Sequence, residues 1–296
     1  MMCLIWGLPY LFIRVAVEHI EPGTLVFLRT GLGALILLPI AMLRRQITVV
    51  MARWRWLLVF AVIEVVLPWL FLSDAERHLS SSLAGLLVAA VPLIGAVAAR
   101  FSAHGDRVNA VQLTGLLIGL VGVGSLVGLD FGQLNLVALA EMAVVAICYA
   151  TGPIVLSRKL SDLPSLGVIA SALTVSALIY LPFALLRPPD LSRSSVVLSV
   201  VVLGVVCTAL AFILFFQLIA TIGPTRSTVI TYVNPAVAVV LGVLVLHEHL
   251  SLGMIVGFPL ILAGSILGAR KAAPKPDPFG ETVTQVPRAA VSGPAV

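Results

Sequence analysis

Charge is scarce in this chain. Asp, Glu, Lys and Arg make up only 10% of its 296 residues, where a soluble domain carries about 25%. So few charges cannot cover a water-facing surface. Cysteine is scarce too. Cys3, Cys148 and Cys207 each stand alone in an apolar run, which reads as three small packing residues and not as a disulfide or metal set. Gly-rich phosphate loops, metalloprotease helix motifs and Gly-x-Ser-x-Gly turns are all missing. Direct coupling to nucleotide hydrolysis and the common hydrolase chemistries therefore have no residues to carry them. His247, Glu248 and His249 lack the i, i+4 histidine pair of a helical zinc site, and no metal or cofactor is expected. No cleavable signal peptide is expected either, since residues 1–17 have no basic start and no small-residue cleavage site before Glu18.

Apolar sequence is what the chain has in abundance: 60% of residues are hydrophobic and the mean hydropathy is +1.15. Apolar runs of about 20 residues recur, the length that crosses a bilayer core as a helix. They are continuous, without the alternation of a barrel strand, so an all-α integral membrane protein is expected. Ten spans are read at 1–17, 22–43, 56–73, 80–100, 111–129, 136–156, 163–185, 196–217, 225–246 and 252–269. The tail 271–296, with five prolines and no apolar period, reads as a disordered cytoplasmic extension.

Charge placement orients the spans. Twelve basic residues (Arg44, Arg45, Arg53, Arg55, Arg100, Arg107, Arg158, Lys159, Arg226, Arg270, Lys271 and Lys275) fall on one side, against Arg77, Arg187 and Arg193 on the other. The positive-inside rule then predicts a multi-pass protein of the cytoplasmic (inner) membrane with both termini in the cytoplasm. Its basic residues meet anionic lipid headgroups and not nucleic acid.

One stretch is written twice. Segment 79–92 ends at Pro92 and is followed by Asp106, Gly115 and Gly122. Segment 222–235 ends at Pro235 and is followed by Glu248, Gly257 and Gly264. Acid to first glycine is nine residues in both copies, and glycine to glycine is seven. A period near half the chain means two homologous halves. Five spans per half is an odd number, so the second half enters the membrane inverted, and its basic loops have moved to match. The expected architecture is ten transmembrane helices as two five-helix inverted repeats, 1–130 and 136–270, the usual plan of a secondary transporter.

Trp6-Gly7, Pro22 and Arg29 at the start resemble the opening of the EamA-type transporters of the drug/metabolite transporter superfamily. So do the paired Pro92 and Pro235 segments, each followed by an acidic turn and a Gly-x6-Gly helix. His247-Glu248-His249-Leu250 keeps the acid of that family's turn with different flanks. The resemblance covers about residues 1–270. It implies a central cavity lined by the first four helices of each half, with the fifth and tenth peripheral. It also implies transport, mostly export, of amino acids, drugs or other small metabolites, often against protons.

Ionisable groups inside spans are few, and each costs about 2.5–3.5 kcal/mol on insertion scales unless paired or wetted. Glu64, near the middle of span three, is the lead residue for loading and releasing a proton or for contacting substrate. Arg29, about 10 Å into span two at 1.5 Å per residue, is the lead anion contact, or a partner for Glu64. Glu141 is a second candidate acid. Arg14 and Glu18, four apart, read as a local structural pair. Asp106, Arg107, His247, Glu248 and His249 read as turn and capping residues. Pro92 and Pro235 each remove a helical hydrogen bond and bend the axis. With Trp6, Trp69, Tyr149, Tyr232 and Asn234 they are the candidate cavity lining. Trp54 and Trp56 read as interfacial anchors. Small faces at Gly115, Gly119, Gly122, Gly124, Gly257, Gly264 and Gly268 read as helix packing, with a homodimer contact as a further use.

The expected function is proton-coupled export of a small organic solute by alternating access, as a monomer or homodimer. The alternative is a facilitative permease or uptake carrier without proton coupling. A membrane-embedded enzyme would need reactive side chains gathered at one depth, whereas the acids here are scattered. A pore would need a ring of like charge, and none is apparent.

Overall fold

A computed structural model describes residues 1–100, 110–128, 135–222 and 230–268; the side chains of Cys3, 96–100, 110, 128, 222 and 230–232 fall outside that description. Among the described residues every regular element is helical. Five helices are long and apolar enough to cross a membrane: Pro22–Leu43, Trp54–Ala75, Leu136–Lys159, Ser165–Leu186 and Ser194–Thr221. Five shorter apolar helices accompany them.

The elements in order are α1 (Met2–Val17), α2 (Pro22–Leu43), the short α3 (Gln46–Met51), α4 (Trp54–Ala61) and α5 (Leu67–Ala75). Next come α6 (Ser81–Val88), α7 (Val91–Arg100), α8 (Ala110–Gly128), α9 (Leu136–Lys159) and α10 (Ser165–Leu186). The last are α11 (Ser194–Val201), α12 (Ala211–Ile222), α13 (Ile230–Leu246) and α14 (Leu252–Gly268). Two π-helical segments interrupt long helices: π1 (Val62–Val66) joins α4 to α5, and π2 (Val202–Leu210) joins α11 to α12.

Local chemistry sets several boundaries. Pro22 opens α2 at a position where its missing N–H would be unpaired anyway. Ser80 caps α6 by accepting from the Leu83 amide, and Asn135 caps α9 by accepting from Val137 and Ala138. Arg45 and His247, both at φ 54°, stop α2 and turn the chain after α13.

The apolar run expected at 80–100 is not one bent helix but two. The chain unwinds at Ala89 and Ala90, and Pro92 sits in the first turn of α7. The Ala89 carbonyl, released from helical bonding, accepts from the Ser265 hydroxyl of α14 at 3.1 Å. A backbone group freed in an apolar setting needs such a partner. Pro235, by contrast, lies inside an unbroken α13.

The helices assort into a regular set of neighbours. Helix α1 packs on α13, on α6 and along π2 with its flanking helices; α2 packs on α10 and π2; α5 packs on α9; α4 and π1 pack on α10; α6 packs on α13 and α9, and α7, beyond the break, on α9; and α8 runs along α14. The α8–α14 contact is made of glycine. A Cβ added at Gly264 would meet the backbone of Gly119 and Gly115, and one added at Gly122 would meet that of Ile261 and Gly257. These faces are therefore occupied within the chain, which leaves the homodimer use without a free surface at those glycines.

Overpacking this contact costs about 1–3 kcal/mol or more, because the obstacle is backbone that cannot rotate away. Gly264→Val is expected to lower the thermal midpoint and yield of the detergent-solubilised protein. Gly124→Ala, whose Cβ would meet nothing within 4 Å, is expected to leave both unchanged. Equal stability of the two variants would refute close packing here.

Polar groups gather at the two ends. At one end Arg53 grips the Asp162 carboxylate with two bonds of 2.6 and 2.7 Å and the Lys159 carbonyl at 2.8 Å. Trp56 lies under the Lys159 ammonium, and Trp54 and Trp56 are both exposed. At the other end the Thr24 hydroxyl donates to the Arg187 carbonyl at 2.9 Å, and Arg77 approaches both Glu21 and Asp74 at 3.4 Å.

Candidate functional site

Between those ends, π1 and π2 place polar side chains deep among apolar helices. A π-helical turn adds one residue to a helix, leaves the local ladder loose and redirects side chains, and such turns recur at functional sites. In π2 the Thr208 hydroxyl donates to the Leu203 carbonyl at 2.8 Å. Its oxygen then accepts from Arg29 Nε at 3.1 Å. The same guanidinium lies flat over the Trp69 indole, its Cζ 3.7 Å from the ring centroid. Arg29 is 7% exposed and Trp69 6%. Gly33, one turn beyond Arg29 on α2, leaves the room that the Thr208 methyl fills, for a Cβ there would meet it at 2.7 Å.

This arrangement differs from one expectation. Arg29 is not paired with Glu64. Among the described residues its partners are neutral: a threonine hydroxyl and an aromatic face, with Tyr10, Tyr149, Cys207 and the Glu76 carboxyl in electrostatic reach. Among the described residues no carboxylate forms an ion pair with this guanidinium. A stacked arginine of this kind is held in place while keeping its bidentate fork for an anionic group.

Glu64 sits in π1, pointed at α9. Its Oε2 is buried without a hydrogen-bond partner, and it lies against Gly152; a Cβ there would overlap the carboxyl. Cys148 and Tyr149, on the preceding turn of α9, are its electrostatic neighbours, and the Trp69 indole bonds the Tyr149 hydroxyl. Glu64 and Arg29 are thus bridged indirectly, through Tyr149 and Trp69.

The remaining candidates divide. Glu141 faces Asp74 of α5 across the helix contact, a carboxyl pair near the end of the bundle, and its Oε2 is buried and unpartnered. Trp6 is half-buried against α12, its ring 4.6 Å from Phe215 and 6.1 Å from Phe212 between centroids. Asn234 and Pro235 lie where α13 meets α1, and Gly7 allows that approach, for a Cβ there would meet the Asn234 carbonyl at 3.2 Å and overlap Val237. Pro92 is half-buried at the α6–α7 break. Cys148 and Cys207 are free and buried, as packing residues should be. The side chain of Tyr232, together with Asp106, Arg107, Arg226 and the tail, lies outside the described residues.

Sequence reasoning missed three things. One is the pair of π segments. Another is Thr208, which is uncharged and so drew no notice. The third is Glu76, at the end of α5, which is completely buried. The missed signal was its spacing: Trp69 and Glu76 are seven apart, two turns along one helix face. Arg14 and Glu18 do approach, at 3.9 Å, but the shorter contact of Arg14 is to the Glu76 carbonyl at 2.7 Å. Glu248 does cap a helix, yet not its own. Its carboxylate accepts from the Ser81 amide at 2.7 Å, the Ser82 amide at 3.0 Å and the Ser82 hydroxyl at 2.5 Å.

Apolar helices of membrane-crossing length, enclosing an arginine and glutamates at their centre, define a multi-pass membrane protein with an internal polar site. Its lineage follows from comparison with known proteins. The chain belongs to the EamA-like transporter family, whose profile matches residues 1–128 and again 137–269. It is 29% identical over 280 residues to an uncharacterized inner membrane transporter of Escherichia coli K12, YedA, covering 88% of this chain and 87% of that one. It is 22% identical over 269 residues to an uncharacterized transporter of Bacillus subtilis, YvbV, covering 89% and 88%. Protein PecM of Dickeya dadantii is 24% identical over 220 residues, covering 72% and 73%. A crystal structure at 22% identity superposes with a TM-score of 0.66 over 90% of this chain and 93% of the other, so the fold is one already solved.

Proposed function

We propose that this protein is a secondary active transporter that exports a small organic solute carrying an anionic group, driven by protons. Arg29 holds the anion and Glu64 carries the proton. The observation that supports this reading best is the buried guanidinium of Arg29, fixed by Trp69 and Thr208 with its Nη donors uncommitted to any acid among the described residues. Burying such a charge is costly unless a function requires it.

In this reading the chain makes ten spans as two inverted repeats, 1–130 and 136–270, with both termini cytoplasmic. The helix neighbours support it. Numbering the spans in order, one meets nine as six meets four; three meets six as eight meets one; two meets eight as seven meets three; and two–seven, four–nine and five–ten are self-paired. Each of these contacts recurs with the halves exchanged. The π segments in spans three and eight obey the same exchange. The halves rock about the midplane, exposing Arg29 and Glu64 to each side in turn. The chemistry is less symmetric than the scaffold, for π1 offers a carboxyl where π2 offers Thr208 and Cys207.

The test begins with metabolite profiling of cells with and without the protein, followed by reconstitution in proteoliposomes with any solute found. An imposed pH gradient is expected to accelerate flux by wild type several-fold. Glu64→Gln, which keeps the shape but not the titration, is expected to equilibrate solute yet ignore the gradient. Full gradient-driven transport by that variant would remove Glu64 from the mechanism, and a wild type indifferent to the gradient would leave a facilitative carrier. Reporters fused at Arg45 and Arg187 are expected on opposite sides of the membrane; the same side for both would end the ten-span arrangement.

A further inference from the structure

Glu76 bonds none of the side chains of the site just described, yet among the described residues it is the most completely enclosed acid, at 0% exposure. Its backbone carbonyl takes the Arg14 guanidinium, but neither carboxyl oxygen has a hydrogen-bond partner. A bare carboxylate held this way costs several kcal/mol, and breaking its isolation requires either a cation or a proton. The charged and titratable groups that face it are Arg14 and Tyr10 from α1, Arg29 from α2 and Glu248 from the turn between α13 and α14. On its own segment Asp74 precedes it, and Arg77 and His78 follow. None of them bonds the carboxyl oxygens.

Glu248, meanwhile, closes the same end of the molecule. Its three bonds to Ser81 and Ser82 tie the turn after α13 to the first residues of α6. Bonds from backbone amides at a helix N-terminus to a carboxylate are among the stronger ones in a protein. Gly242 makes the approach possible, for a Cβ there would collide with both the Ser82 hydroxyl and the Glu248 carboxylate. A cavity of about 300 Å³ lies beside this clamp, lined by Arg14, Glu18, Arg77, His78, Leu79, Ser80, Leu246 and Glu248. Two acids therefore stand close together, one clamped by three hydrogen bonds and one buried without a partner.

We propose that Glu76 is a proton-binding site linked to a latch on the outer end of the transporter: Glu76 holds a proton while Glu248 clamps the start of α6, and loss of that proton releases the clamp. The assignment of this end as the outer one rests on the topology of the proposed transporter. In the release step the Glu76 O–H bond breaks and the proton passes to water in the neighbouring cavity. The carboxylate left behind repels Glu248, attracts Arg14 and Arg29, and must be wetted. Opening the latch meets all three requirements, because it admits solvent and separates the two acids. Low outer pH therefore keeps the latch closed and high outer pH opens it. The proton also gains a place to dwell between the outer solution and Glu64, with Arg29 and Tyr149 lying between the two acids.

The test reads the latch without any substrate. A cysteine at Leu79, which is buried beside the cavity, is labelled from outside with an impermeant maleimide at pH 5 to 8. Its rate is normalised to a cysteine at the exposed Ser192 to remove the thiol's own titration. In Leu79→Cys alone, normalised labelling is expected to rise at least threefold from low to high pH. Adding Glu76→Gln is expected to hold it slow and flat, and adding Glu248→Gln to hold it fast and flat. Glu76→Asp, which keeps the titrating group, retains the rise, and so does His78→Gln. The proposal is overturned if Leu79→Cys shows no rise, if Glu76→Gln keeps the rise, if Glu248→Gln labels no faster than its parent at pH 5, or if His78→Gln abolishes the response. Because the readout is accessibility and not flux, failure here leaves the gradient test of Glu64 standing, and the reverse is equally true.

Discussion

Arg29→Lys is expected to cut solute transport about tenfold or more while the protein still inserts and folds. Lysine keeps the positive charge, so a purely electrostatic role would survive the change. The geometry asks for more than charge. The guanidinium lies flat on the Trp69 ring at 3.7 Å and donates from Nε to Thr208 at 3.1 Å, which holds rigid the two-pronged face that the proposed function assigns to the solute. An ammonium has neither the plane to stack nor the fork to present. Losing one hydrogen bond between charged partners is worth about 1.5–3 kcal/mol, or roughly 10–100-fold. Arg29→Gln, which removes the charge as well, is expected to fall at the far end of that range. Thr208→Ala keeps the charge and the stack and is expected to lose less than either. Proteoliposome flux at several solute concentrations separates weaker binding from slower turnover. Wild-type flux in Arg29→Gln would mean that the solute carries no anion to this site, and the proposed substrate class would fall with it.

Gly152→Ala is expected to be nearly as damaging, and the sign follows from magnitudes. Within a helix, Ala is favoured over Gly by about 1 kcal/mol, so the change should stabilise α9 if nothing faces it. Here the Glu64 carboxyl faces it and occupies the space a methyl group would need. Overpacking costs about 1–3 kcal/mol, and Glu64 has little freedom to move, being rooted in π1 with α10 on the other side. The outcome is a displaced carboxyl and a widened gap between α9 and span three. Proton-driven flux is expected to drop at least tenfold, with a lower thermal midpoint. Trimming the acid should relieve the clash: Glu64→Ala with Gly152→Ala is expected to recover the midpoint but not the response to a pH gradient. Additive losses in that pair would show that the two residues do not touch.

How much of this could be read beforehand is a matter of which signals are local. Apolar runs declare helices because length and hydropathy are properties of contiguous sequence, and the five helices long and apolar enough to cross a membrane lie within a few residues of expected runs for that reason. Arg29 and Glu64 stood out because charge is rare in such runs. Their partners did not, since the neighbours of Arg29 come from sequence 40 and 179 residues away. Thr208 resembles many other threonines until π2 turns it toward α2. No residue pattern marks a π segment; Val62–Val66 and Val202–Leu210 read as ordinary apolar helix. Glu76 was hidden by its company. In the run Asp74-Ala-Glu-Arg-His78 a buried acid looks like part of a solvated turn, and only the arrival of Arg14 on its carbonyl shows the segment being folded inward. Glu248 was recognised as a cap, but the helix it caps is 166 residues distant, and sequence spacing cannot say which end of which helix a turn will meet.

The break at Ala89 and Ala90 turns α6 into a short lever. Eight residues at 1.5 Å each make an arm about 12 Å long, pivoted where Ser265 steadies the Ala89 carbonyl. A rotation of about 10° at that joint moves the free tip by about 2 Å, enough to part all three bonds to Glu248 while α7 and the glycine-packed pair of α8 and α14 stay where they are. Motion at one mouth of the protein can then be a hinge movement of about two turns of helix, cheap in disturbed packing and separable from the wider swing of the two halves proposed above.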